Sequence, residues 1–243
     1  MHKSPFMHKI VFMHKIEASA DSTIPLAEQA FRHLRRDMLV GQLEAGRKLK
    51  LDELQSHYGL SSSPLREALN RLTQEGLVRA DERRGFRVAP ISADDLADIT
   101  RMRLLIEVPA LRDATLKGHD EWEAAIVAAH HRLERVESRF GDGPLVLDDE
   151  WSALHQQFHA ALLAACSSPR QVALSASLWD QAERYRRFSA RHRVIGRRKA
   201  EEHRKLMNAT LRRDADTACA LLTEHILSTQ RNVEAALLRI ETV

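Results

Sequence analysis

The chain has 243 residues, 44% of them hydrophobic and 29% charged, which is room for more than one packed core and speaks against global disorder. The net charge of +3 permits a nucleic-acid partner without requiring one. No run of about 18 apolar residues is present, so no membrane span is expected, and two cysteines, Cys166 and Cys219, do not make a disulfide framework; a cytoplasmic setting fits best.

Only nine Gly and seven Pro interrupt long Ala/Leu/Arg/Glu-rich segments, so the chain reads as mostly α. Residues 1–22 repeat Met-His-Lys at Met1, Met7 and Met13. They lack the sustained apolar stretch and cleavage site of a signal peptide, and read as a disordered tail that a duplicated segment or a mis-set start codon would explain.

A first domain is expected over residues 23–90. Leu26, Ala30, Phe31, Leu34 and Met38 form a helical stripe after Pro25, ended by Gly41. Leu51 to Tyr58 makes a short helix stopped by Gly59. Ser61-Ser62-Ser63-Pro64 then opens a third helix with Leu65, Leu69 and Leu72 on one side, closed by Gly76. Beyond it the period changes to that of strands. Leu77–Ala80 and Phe86–Ala89 read as a hairpin with its tip at Asp81–Gly85. This is the order of a winged helix-turn-helix, whose third helix fits the DNA major groove while hairpin arginines reach phosphates.

A second domain, residues 91–243, shows helical patterns only. Starts are signalled at Ser92, Asp120, Asp148-Asp149, Ser168-Pro169, after Gly196, and at Asp214. Pro109 should kink the first of these helices. An antiparallel bundle of six to seven helices follows. His155 and His159 stand four apart on one helical face, and His203 and His225 lie on later helices that could complete a metal site. Imidazole suits Zn, Ni, Cu or Fe, so the ligand type does not choose the metal. The alternative is chance, since the chain has thirteen histidines. Arg103 is a candidate for a carboxylate ligand, against the alternative of a salt bridge to Glu107. Tyr185 and Arg184 are weaker candidates, against the alternative that an aromatic at that spacing is core. His130-His131 reads as a solvated helix face and Cys166 as a small buried side chain.

Leu65-Arg66-Glu67-Ala68-Leu69, Leu72, Glu75-Gly76-Leu77-Val78 and Gly85-Phe86-Arg87-Val88 resemble the GntR family of bacterial transcription regulators. The resemblance implies that Arg66 contacts phosphate or base, that Ser63 and Arg71 contact the DNA backbone, and that Gly85 lets the wing approach the minor groove; Ser61 and Ser62 complete the expected DNA-binding set. That family usually carries arginine where this chain has Ser62, which points to a different operator. Arg101-Met102-Arg103-Leu104-Leu105-Ile106-Glu107, Phe158-His159, Glu202-His203 and Glu224-His225-Ile226 resemble the FCD domain of the family's FadR-type branch. Asp120–Ala124, Trp151, His155 and Ala182–Arg186 are similar to the subgroup represented by the carbon-starvation-induced repressor of glutarate and γ-aminobutyrate catabolism. The resemblance implies metal ligation by His159, His203 and His225, with zinc expected first and nickel or iron otherwise. His155 replaces the family's usual aspartate, so it could bind, turn away or meet the effector. The resulting expectation is a homodimeric repressor of a palindromic operator, released by a small carboxylate, with dicarboxylates among the candidates. A purely metal-responsive regulator and a helical-bundle metalloenzyme are the alternatives.

Overall fold

The computed structural model describes residues 24–81, 85–139, 148–191 and 199–241. The tail with its Met-His-Lys repeats, the hairpin-tip residues Glu82, Arg83 and Arg84, and the glycines Gly141 and Gly196 lie outside these. The chain divides into two compact units, Met1–Pro90 and Ile91–Val243. Among the described residues no helix is long and apolar enough to cross a membrane.

The first unit runs α1 (Leu26–Leu39), β1 (Lys48–Leu49), α2 (Leu51–Tyr58), α3 (Ser62–Gln74), β2 (Val78–Asp81) and β3 (Gly85–Val88). Gly59 takes a left-handed φ of 66° at the end of α2, and two residues later Ser61, in extended conformation, opens α3. That short turn fixes the angle between the two helices. The expected serine cap is only half present: Ser61 sits at the cap position, but its side chain makes no cap hydrogen bond. Pro64 lies in the first turn, where its missing N–H would have no helical partner anyway. At the other end Gly76 N–H donates to the Thr73 carbonyl at 3.1 Å and Leu77 N–H to the Leu72 carbonyl at 3.0 Å. This Schellman closure needs the positive φ of 73° that Gly76 supplies. Leu65, Ala68, Leu69 and Leu72 are buried on α3 and join Leu34, Leu54 and Tyr58 in the unit's core.

The hairpin is present, with Val78 opposite Val88 and Asp81 opposite Gly85. It belongs to a three-stranded antiparallel sheet in the order β1-β3-β2. The two-residue strand β1 is too short to leave an alternation pattern in the sequence.

The second unit has six helices among the described residues: α4 (Ala93–Lys117), α5 (Asp120–Glu137), α6 (Asp149–Leu163), α7 (Pro169–Arg191), α8 (Lys199–Leu211) and α9 (Ala215–Glu241). Their starts follow the sequence signals. Ser92 Oγ accepts from Asp95 N–H at 3.3 Å, Asp148 Oδ1 from Trp151 N–H at 2.7 Å, and Asp214 Oδ1 from Thr217 N–H at 3.1 Å. The helix α4 runs as one element through Pro109. The main core gathers Trp122, Ile126, Leu133, Trp151, Phe158, Leu206 and Ile226, and a smaller cluster holds Leu96, Ile99, Ala182, Tyr185 and Val233. His130 corrects the expectation of a solvated face. It is buried and meets the Phe158 ring edge at 5.6 Å, because it falls on the same side of α5 as Ile126, Ala129 and Leu133. His131, one residue on, is exposed.

Candidate functional site

Two surfaces carry chemistry, one in each unit. In the first, α3 buries its leucines and leaves Ser61, Ser63, Arg66 and Asn70 exposed, with Ser62 half-buried. Arg71 is held from within: its Nη1 donates to Glu28 Oε2 at 2.9 Å and its guanidinium lies 4.0 Å over the Phe31 ring. Gly85 has a φ of 84° and is exposed, with nothing within 4 Å of where a Cβ would stand. Across the sheet, Lys48 pairs in register with Arg87, and Arg87 with Arg79. All three are exposed, so the sheet presents a row of cations. Like charges directly opposite one another destabilise a sheet, and an anion placed over the row would relieve that. Sequence reasoning missed this row because it passes through β1.

In the second unit α6 brings His155 and His159, α8 brings His203 and α9 brings His225 to one point. All four are buried, and one nitrogen from each lies within 4.8 Å of the other three. The face of α6 that carries Trp151, Phe158 and Leu162 into the core also carries the two histidines, one and two turns on from Trp151. Ring centres of His155 lie 4.7 Å from His159 and 4.8 Å from His203, while His159 and His225 are 4.9 Å apart. Trp151 stacks on His155 at 4.3 Å. Trp179 of α7 closes another side, 4.9 Å from His155 and 4.8 Å from His159.

The orientations suit a cation at the centre. His155 Nε2 and His203 Nε2 face each other at 3.1 Å. Two imidazole nitrogens on one ion, each at about 2.0–2.1 Å, stand roughly that far apart when their bonds meet near a right angle. Carboxylates back the other ring edges. Glu202 Oε2 lies 3.1 Å from His225 Nδ1, and Glu137 Oε1 lies 3.2 Å from His203 Nδ1 while accepting from Trp151 Nε1–H. Such an outer carboxylate, here Glu202 on His225, fixes the tautomer of a ligating histidine, and no sequence pattern singles out Glu137. His159 Nε2 is buried without a hydrogen-bond partner, which a cation would supply. Burial, and then the charges of His225, His203, Arg103 and Arg186, hold His159 well below the ordinary imidazole range. It is therefore neutral at physiological pH, the form that ligates.

The candidate effector ligands are placed differently. Arg103 is buried and donates to both oxygens of Glu107, at 2.6 and 3.0 Å. The alternative weighed for it, the salt bridge, is what the structure contains. Tyr185 is buried in the smaller cluster, where its hydroxyl donates to Asp95 and accepts from Arg184. That commitment ties α7 to the first turn of α4, in a cluster apart from the main core. Arg184 serves the same tie through Asp95.

Four donors of one type around a point, on a helical unit, with a basic winged helix-turn-helix in the same chain, define a DNA-binding transcriptional regulator. The chain belongs to the GntR family: residues 26–88 match "Bacterial regulatory proteins, gntR family" and residues 98–228 match the FCD domain. It is 40% identical over 203 residues to the HTH-type transcriptional regulator BphR of Paraburkholderia xenovorans, covering 84% of this chain and 83% of that protein. It is 36% identical over 202 residues to the HTH-type transcriptional repressor GlaR of Escherichia coli, covering 82% of this chain and 91% of that one. The solved structure of E. coli McbR/YncC superposes with a TM-score of 0.69 at 21% identity, over 89% of this chain and 99% of the other, a likeness of fold. These families and relatives are transcriptional regulators, not enzymes, which sets the metalloenzyme alternative aside.

Proposed function

We propose that this regulator is a homodimeric repressor whose hold on a palindromic operator is released by a small carboxylate bound beside a metal ion. The observation that carries this reading is the buried set His155, His159, His203 and His225 in the FCD unit. A divalent transition metal, with zinc first and nickel or iron as alternatives, fits four imidazole donors. It would supply Lewis acidity at open coordination positions, where a carboxylate oxygen binds. His155 enters as the fourth ligand: its Nε2 already faces that of His203. Where the resemblance leads one to expect an aspartate, a neutral imidazole leaves the site one charge more positive, which favours an anionic ligand.

On the DNA side, Arg66 and Ser63 on the exposed face of α3, with the cation row on the sheet, are positioned to meet phosphates and base edges. Ser61 and Gly85 bring backbone close, and Ser62 stands where the resemblance leads one to expect the arginine that reads guanine. Arg71 contributes by bracing α3 on α1 through Glu28. Dimerisation follows from need, since one such unit makes too few contacts for tight specific binding. The name of the relative GlaR, a repressor, supports the direction of control.

The test is a gel-shift titration on operator DNA selected from a random-sequence pool, with zinc-loaded protein and a series of short carboxylates. At least one carboxylate should weaken operator binding, and His159→Ala should lose both zinc, by elemental analysis, and the response. Unchanged affinity with every carboxylate would count against the reading. A response to chelation alone would instead make the metal the signal.

A further inference from the structure

We propose that Glu137 is a positioning residue of the metal site in the FCD unit: its carboxylate accepts the Nδ1 proton of His203, which presents a bare Nε2 to the ion. This rests on the histidine cluster being a metal site. Glu137 is the last residue of α5, and its side chain is 7% exposed. Its Oε1 accepts from Trp151 Nε1–H at 3.2 Å and stands 3.2 Å from His203 Nδ1. One buried oxygen therefore lies between a side chain of α6 and a side chain of α8.

The two groups are close but not yet paired. His203 is fully buried, and its Nδ1 has no hydrogen-bond partner although Glu137 Oε1 is within reach. On the other edge of the ring, His203 Nε2 faces His155 Nε2 at 3.1 Å. A neutral imidazole carries one N–H, so a proton on Nε2 leaves a bare Nδ1 against a carboxylate oxygen, lone pair against lone pair. A proton on Nδ1 is accepted by Glu137 and leaves Nε2 free to ligate. The carboxylate therefore favours the tautomer that ligates from the edge facing His155.

The charge of Glu137 points the same way. A helix C-terminus carries partial negative charge, so an acid in the last turn of α5 stands against the dipole. Among the described residues, the one side chain able to carry positive charge within ion-pair reach of it is His203. A buried carboxylate is costly without such compensation, and an ion bound through His203 supplies it. The same oxygen steadies a second ligand. Trp151 stacks on His155 with ring centres 4.3 Å apart, so the carboxylate that holds the indole also holds the plane of that imidazole. Glu137 thus serves the two histidines whose Nε2 atoms face each other.

The experiment measures the zinc affinity of the full-length chain by competition with a chromophoric chelator, beside the thermal midpoint of the metal-free protein. Glu137→Gln keeps an oxygen for the indole but removes the charge and weakens the acceptor. It should bind zinc about tenfold more weakly than wild type, or worse. Its metal-free midpoint should not fall, since a buried charge is removed. Trp151→Phe removes the indole donor and leaves Glu137 facing His203, and should bind zinc much as wild type does. Unchanged zinc affinity in Glu137→Gln overturns the assignment, whatever its midpoint. An equal loss of affinity in Trp151→Phe also overturns it, because Glu137 would then only prop the indole. Should Glu137→Gln fail to fold, histidine-selective nitrogen NMR of zinc-loaded wild type decides. His203 should carry its proton on Nδ1, and an unprotonated Nδ1 overturns the proposal. Zinc held equally by wild type and Glu137→Gln defeats this proposal alone. Absence of zinc binding in wild type defeats the metal reading, and this one with it.

Discussion

At the scale of single residues, the buried imidazole of His159 makes the second unit sensitive to protons. His159 titrates near 6.5 when unfolded and well below that when folded, chiefly because burial disfavours its charged form. The native state therefore binds fewer protons than the unfolded state just below that value. The stability this group confers is present above about pH 6.5 and is lost as pH falls towards its lower folded value. Thermal melts of chelator-treated protein should show a midpoint that falls below about pH 6.5, and a flat profile between pH 7 and 5 would contradict this. The i, i+4 spacing of His155 and His159 was legible from the chain alone. The unpartnered Nη1 of buried Arg186 was not, because satisfaction is a property of neighbours. The partner of Tyr185 was not legible for the same reason: an aromatic phenol at helical spacing has the same sequence signature whatever its hydroxyl meets, and here it meets Asp95.

At the scale of elements, two glycines separate two kinds of constraint. Gly59 ends α2 at a φ of 66° with nothing within 4 Å of an added Cβ. Gly59→Ala therefore costs only the left-handed strain, roughly 1–2 kcal/mol. Gly118, between α4 and α5, has an ordinary φ of −58°, yet a Cβ there would stand 2.0 Å from the Trp122 ring. Gly118→Ala must displace a buried indole whose Nε1 donates to the Ala161 carbonyl, and should cost about 1–3 kcal/mol or more. Urea denaturation of both variants should rank Gly118→Ala as the more damaging. The reverse order would mean that Trp122 moves aside freely. The strand β1 and the buried side of α5 were missed at this scale. Two residues leave no period to read, and His130 was judged by residue type when its position opposite Phe158 decides.

At the scale of the whole chain, the two units have separate apolar clusters, one around Leu34, Leu65 and Leu72 and the others around Phe158 and around Tyr185. Metal bound at the histidines stabilises the unit that holds it, by about 2.7 kcal/mol at a free concentration of 100 times the dissociation constant. Scanning calorimetry with and without zinc should therefore raise the unfolding of the FCD unit and leave that of the winged helix-turn-helix in place. An equal shift in both would show that they unfold as one. The same separation frames regulation: an effector at the histidines changes DNA binding only through a differential affinity for two states of the chain. Tyr185 and Arg184 of α7 are hydrogen-bonded to Asp95 in the first turn of α4, the first element after the DNA-binding unit.

The sequence by itself determined the helices and the hairpin, the helix starts, the order of the winged helix-turn-helix and the identity of the four histidines. Propensity, capping and periodicity act over a few residues, and these features are written at that range. Only the tertiary structure decided that His155 joins the other three and that Glu137 and Glu202 stand behind the ring edges. It likewise decided that Glu107 occupies Arg103 while Arg186 keeps an open N–H. Those outcomes depend on which atoms meet across helices distant in sequence, where the competition for hydrogen-bond partners in a dry interior is settled by packing.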